Sequence, residues 1–271
     1  MRKVLICGYP RSGNSLLYRT VVSLQGPNHI SFMESVGLSN VARAQCGPFM
    51  SFPEIAHLDN LRLPGGEPHL EYPHPECRTV KVSPSLLEQV STLIWTHELP
   101  GKILKSAFHS RRSFYMIRDG RDVISSMIHY SVTESSRRLQ PHYQCGSAEE
   151  IYANLELFRK WTIEWASHMN SYLENRDHFF AVHYENLVSD RERQMKEITA
   201  HICDPGSEEF HETCGRIGAS LKATDREKFR ARAPDHMHRG RPGGWREEWS
   251  EEHVQVFFSH AGQEMSRLGY V

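Results

Sequence analysis

Two periodicities alternate along this chain. The short apolar runs KVLIC (3–7), TLIWT (92–96), SFYMI (113–117) and HFFAV (178–182) are too brief for helices and read as buried strands. Between them, apolar residues recur at helical spacing. SLLYRTVVSLQG (15–26) predicts a helix that ends near Gly26 and Pro27, and another is expected from about Arg121 to Tyr130. Ser147 and Glu150 have capping-box spacing, which opens one long amphipathic helix through Leu155, Phe158, Trp161, Trp165 and His168. Ser189 and Glu192 repeat that spacing before RQMKEITAHIC, and Ser250 opens a last helix carrying Val254, Phe257 and Met265 to a stop at Gly269. Strands alternating with helices predict an α/β fold whose parallel sheet is covered on both faces.

Two stretches break the pattern. Residues 26–75, rich in Gly, Pro, His and Ser, and residues 222–244, dense in Arg, Gly and Pro, read as loops passing over a site. The 271 residues fit one domain, 1–271. Lys plus Arg (32) nearly balances Asp plus Glu (33), so no global field argues for nucleic acid, and an anion site has to be built locally. Six cysteines without C-x-x-C or metal-like spacing read as reduced thiols, which suits the cytoplasm, and no metal site is expected. The apolar run after Arg2 and Lys3 is too short for a signal-peptide core or a membrane span. Composition is silent on oligomeric state.

GYPRSGNS (8–15) directly follows the first strand and nearly matches the phosphate-binding loop G-x-x-x-x-G-K-[ST], with Asn14 in the lysine position. A glycine-bracketed turn entering a helix aims free N–H groups and the positive end of the helix dipole at one point, which favours an anion. The expected architecture is therefore a P-loop-type three-layer fold with a central parallel sheet flanked by helices. Without the lysine, the reach to a triphosphate is gone, and Arg11 offers a cation inside the loop. In FYMIRDGRDVISSMIHY (114–130), Arg118 at a strand end and Ser126 in the next helix can meet at one anion; equally, Arg118 and Arg121 could pair with Asp119 and Asp122. In RGRPGGW (239–245), Arg239 and Arg241 lie among glycines that permit close backbone approach, and the same stretch also reads as a solvated basic loop.

Together these segments resemble the soluble sulfotransferases. GYPRSGNSLL is similar to that family's 5′-phosphosulfate loop, IRDGRDVISS to its 3′-phosphate motif, and HRGRPGGW to its late R-K-G-x-x-G-D-W segment. TLIWTHELP resembles the K-T-H-L-P strand and VHYENLVSD the Y-E-D segment, in the family's order along nearly the whole chain. The resemblance implies the cofactor 3′-phosphoadenosine 5′-phosphosulfate (PAPS), with 3′-phosphoadenosine 5′-phosphate (PAP) as product, no magnesium, and a small-molecule hydroxyl or amine acceptor. By carry-over, the N–H groups of Ser12, Gly13, Asn14 and Ser15 hold the phosphosulfate. Arg11 takes the place of the loop lysine; Arg118, Ser126, Arg239 and Gly240 surround the 3′-phosphate, and Tyr184 lies beside adenine.

The resemblance makes His97 the general base, with Arg11 and Ser126 at the leaving group. Three positions depart from the family pattern: Leu16 replaces a tryptophan, Trp95 a lysine, and His238 an arginine. The spacing of Trp161, Trp165 and His168 marks a buried helix face rather than a substrate box. Phe32, Met33, Phe49, Phe52, Tyr130 and Tyr143 are the candidates to line an acceptor pocket. Two other functions stay open at this stage, an ATP-dependent small-molecule kinase on the same fold and a nucleotide-binding module without catalysis.

Overall fold

In the computed structural model of the chain, residues 3–26, 60–71, 79–83, 93–106, 110, 112–139, 146–237 and 240–271 are described. The apolar runs become strands β1 (Val4–Cys7), β5 (Leu93–Thr96), β6 (Ser113–Ile117) and β7 (Phe180–His183). Between β1 and β5 lie β2 (Asn60–Arg62), β3 (His69–Glu71) and β4 (Thr79–Lys81). One seven-stranded sheet results, in the order β4-β3-β2-β5-β1-β6-β7. From β2 to β7 neighbouring strands run parallel, but β3 pairs antiparallel with both β2 and β4, so the sheet is mixed rather than wholly parallel.

The expected irregular excursion over 26–75 thus contains two strands. Each has three residues and a single buried one, Leu61 or Leu70, which is too little to display a period of two.

The side-chain alternation of β1 and β6 sorts the core into two layers. Val4, Ile6, Phe114 and Met116 pack against Leu17, Val21 and Leu24 of the helix Asn14–Gln25 and against Met195 and Ile198. Leu5, Cys7, Tyr115 and Ile117 face the opposite layer, where Ile124, Trp161, Trp165 and Phe257 lie. The prediction that Trp161, Trp165 and His168 are core holds, since all are buried.

Two capping expectations need correction. The long helix expected from Ser147 is two helices, Ala148–Ala153 and Leu155–Glu174, because the Asn154 side chain accepts the Leu157 N–H and caps a new start. The helix Arg191–Ile202 takes Asp190, not Ser189, as its N-terminal flank, without a side-chain cap bond. Ser147 and Ser250 do cap their helices, the latter reciprocally with His253. The second expected loop, 222–244, carries the helix Arg226–Arg232, capped by the Asp225 carboxylate at the Lys228 N–H.

What positions the site is the parallel register. Cys7 pairs with Thr96 and with Tyr115, and Ile117 with His183. The carboxyl ends of β5, β1, β6 and β7 therefore finish level, and Gly8, His97, Arg118 and Tyr184 each follow immediately along one sheet edge. Ligands of open α/β sheets bind at that edge.

Candidate active site

The loop after β1 is held by its own side chains. Asn14, only 5% exposed, donates from Nδ2 to the carbonyls of Tyr9 (2.8 Å) and Gly8 (3.4 Å), so the residue in the lysine position is a strut that folds the loop. Gly8 is required there, because a Cβ would stand 2.3 Å from Asn14 Oδ1. The Ser12 N–H closes a turn onto the Tyr9 carbonyl at 3.2 Å, which removes it from the set of amides expected to face a ligand. The amides of Gly13, Asn14 and Ser15 open the helix Asn14–Gln25 and meet no acceptor among the described residues. The hydroxyls of Ser12 and Ser15 are likewise buried without a partner.

Arg11 adopts φ 67°, the left-handed region, as the only described non-glycine residue to do so. Its carbonyl accepts a hydrogen bond from Arg118 NH1 (3.1 Å), its Nε donates to Ser126 Oγ (3.3 Å), and its guanidinium lies 4.3 Å from the Tyr130 ring centroid. Burial lowers its pKa to about 10, with the Arg118 charge acting in the same direction, so it stays cationic at neutral pH.

Arg118 is 6% exposed and stacks over Tyr184 at 4.3 Å, and among the described residues its buried Nε meets no acceptor. The acid pairing that competed for it goes to Arg121, which forks onto Asp119 at 2.7–3.2 Å. Asp119 also caps the helix Gly120–Ser131, while Asp122 accepts the N–H groups of Gly243 (2.7 Å) and Trp245 (3.2 Å). Those bonds draw the late glycine-rich segment to the sheet edge. Tyr184 completes the link by donating to the Gly240 carbonyl at 2.7 Å. Arg239 and His238 lie outside the described residues, as do Phe32, Met33, Phe49, Phe52 and Tyr143. Arg241 pairs with Glu247.

His97 is half-buried one residue beyond β5. Its Nδ1 lies 2.6 Å from the Gly8 carbonyl, and a carbonyl only accepts, so Nδ1 carries the proton and Nε2 keeps its lone pair. Among the described residues Nε2 makes no hydrogen bond. Burial depresses the ring pKa to about 4, so it is neutral at pH 7. Trp95 stands edge-on to it, with ring centroids 4.9 Å apart.

The sequence model of the sulfotransferase domain matches residues 1–269. The chain belongs to the sulfotransferase family. Human Sulfotransferase 2B1 is 25% identical over 204 residues, covering 68% of this chain and 53% of the relative, so the chain spans about half the length of that curated protein. Among solved structures, mouse sulfotransferase SULT7A1 complexed with PAP aligns over 99% of this chain and 86% of its own, with 15% identity and a TM-score of 0.54. Retinol dehydratase, in complex with androsterone and inactive cofactor PAP, aligns over 98% and 81%, with 15% identity and a TM-score of 0.52. At such identities these likenesses concern the fold.

In this sulfotransferase-family chain, sequence reasoning missed Asp122, Arg226 and Glu185. Arg226 donates to the Tyr184 hydroxyl (3.2 Å) and to the Gly240 carbonyl. Glu185 accepts the Asp119 N–H (3.1 Å) and the Tyr270 hydroxyl (2.8 Å) beside Arg118. The only local signals were the place of Asp122 and Glu185 within motifs assigned to other residues and that of Arg226 in the Arg-rich stretch 222–244.

Gly13 supplies a first prediction. It sits at φ 110°, and a Cβ would lie 2.6 Å from Tyr184 Cδ2 and 2.9 Å from Met116 Cε. Gly13→Ala is expected to cost about 2–4 kcal/mol from backbone strain and overpacking together. Urea denaturation checks it, and an unchanged midpoint contradicts the tight contact with Tyr184.

Proposed function

We propose that the chain, as a single domain, transfers the sulfuryl group of PAPS to a hydroxyl or amine of a small-molecule acceptor. The observation that carries this reading is a set of donors without acceptors at one sheet edge. Among the described residues, the amides of Gly13, Asn14 and Ser15, the buried Ser12 and Ser15 hydroxyls and Arg118 Nε meet no acceptor, which is the donor set that an anion-binding cradle requires. Those groups fit a nucleotide with separated anionic ends. Bound PAPS supplies an activated sulfuryl group on a phosphate leaving group.

Gly13, Asn14 and Ser15 contribute main-chain N–H groups to the phosphosulfate end, whereas the Asn14 side chain stays with the loop. Arg118, with Ser126, Gly240 and Arg239 as its proposed companions, holds the 3′-phosphate, and Tyr184 flanks adenine where Leu16 offers no ring. Arg11 and Ser126, already hydrogen-bonded to each other, hold negative charge at the leaving group. His97 Nε2 takes the proton of the attacking acceptor. Tyr130, beneath the Arg11 guanidinium, is the one candidate pocket residue within the described structure.

No helix among the described residues is long and apolar enough to cross a membrane. Among the described residues, Cys7 and Cys214 carry free thiols, which supports a reducing compartment, the cytoplasm.

A kinase reading would need a lysine reaching the β- and γ-phosphates from position 14, where an asparagine is bonded into its own loop. Isothermal titration with PAP against ATP plus magnesium tests the proposal. Tight binding of PAP and weak binding of ATP is the expected result, and preference for the triphosphate overturns it.

A further inference from the structure

His168 lies on the helix Leu155–Glu174, 4% exposed, with both ring nitrogens engaged. Nε2 stands 3.2 Å from the main-chain carbonyl of His97, and Nδ1 stands 2.7 Å from the Tyr115 hydroxyl. The carbonyl can only accept, so Nε2 carries a proton. Burial lowers the ring pKa to about 4, so the ring is neutral near pH 7 and Nδ1 must accept. The Tyr115 hydroxyl is therefore the donor. A single tautomer is specified from one end of the chain of bonds to the other.

Among the described residues, no other donor reaches the His97 carbonyl. The last rung of the ladder between β1 and β5 is the Gly8 N–H on the Thr96 carbonyl at 3.3 Å, so His97 lies one residue past the sheet's own hydrogen bonds. Its ring is held by Gly8 and its main chain by His168. The Tyr9 ring packs edge-on against His168 with centroids 5.6 Å apart, which braces the same imidazole from the loop side.

We propose that His168, locked in its tautomer by Tyr115, is a positioning residue for His97, fixing the main chain beyond β5 so that Nε2 of the base faces the acceptor. This rests on the assignment of His97 as the base. A satisfied core histidine would stabilise the helix packing and do nothing else; a positioning residue acts on turnover through His97 alone. The two differ in a double-mutant cycle.

The experiment measures kcat and KM for PAPS-dependent turnover, and PAP affinity by titration, in His168→Leu, His168→Gln, Tyr115→Phe and His97→Asn, and in His97→Asn combined with each of the first and third. His168→Leu is expected to lower kcat about 10- to 100-fold with PAP affinity unchanged. His168→Gln, whose amide can donate to the same carbonyl, is expected to recover turnover to within about threefold of the unmodified protein. Tyr115→Phe should fall between them. In the His97→Asn background neither His168→Leu nor Tyr115→Phe should cost anything more. Should His168→Leu fail to fold, the Tyr115→Phe arm of the cycle carries the test. Equal losses in both backgrounds, or no loss in kcat, overturn the proposal. Full turnover in His97→Asn instead removes the base itself, a separate failure.

Discussion

His97→Asn is expected to lower kcat by about 10²- to 10⁴-fold, the range for loss of a general base, while PAP affinity changes by less than about threefold. Asparagine is the informative replacement because its side-chain amide can still donate to the Gly8 carbonyl, as Nδ1 does at 2.6 Å, but has no lone pair in the place of Nε2. The loop keeps its brace and loses only the base.

The pH dependence gives the same assignment a second handle. Burial holds the ring near 4, below the ordinary histidine value of 6.5, and the proposed base acts in its neutral form. With decreasing pH, kcat/KM should stay level through 6.5 and fall about tenfold per unit only below about 4. The sign for stability is the same: a depressed imidazole pKa contributes stability that is present above 6.5 and is lost as pH falls through about 4, because the unfolded chain takes up the proton first. A fall in turnover centred near 6.5 on an intact fold, or a kcat unchanged in His97→Asn, removes His97 from the mechanism.

The parts of this site legible in the sequence are those that a short run of chain determines. KVLIC followed by GYPRSGNS specifies a strand, a turn and a helix start without help from elsewhere, and the helix begins at Asn14, one residue from the expected position. Arg118 was legible because it directly follows the apolar run SFYMI and a parallel sheet brings strand ends to one edge, whereas Tyr184, one residue past β7, was reached only through the family resemblance.

The parts that were not legible depend on tertiary pairing. Nothing in the spacing of Asp122 says that its carboxylate accepts N–H groups 121 and 123 residues away, or that the Ser12 amide turns back onto Tyr9. His168 was read correctly as buried, from helical period, but its two polar contacts come from β6 and from the end of β5, which period cannot register. Asn14 was read for its main-chain N–H alone, and nothing in the motif assigned a task to its side chain. Its side chain is a strut because the Gly8 and Tyr9 carbonyls come within reach only once the loop has turned.

Arg11→Gly separates stability from rate. A non-glycine residue in the left-handed region costs about 1–2 kcal/mol, and Arg11 occupies it at φ 67° beside glycines that could do so without that cost. The fold tolerates the strain with Arg118 holding the Arg11 carbonyl, and the strained backbone carries a guanidinium bonded to Ser126. Replacement by glycine relieves the backbone cost, offset in part by greater freedom of the unfolded chain, so folding stability should change by less than about 1 kcal/mol. Turnover should fall about 10³-fold, as when the arginine that neutralises leaving-group charge is lost from a phosphoryl-transfer site. Arg11→Lys keeps the charge but not the Nε bond to Ser126, and should retain most of the rate. Urea denaturation and steady-state kinetics on the three proteins decide the matter. If Arg11→Gly raises KM and leaves kcat intact, Arg11 binds ground state and transition state alike, and its strained backbone needs another explanation.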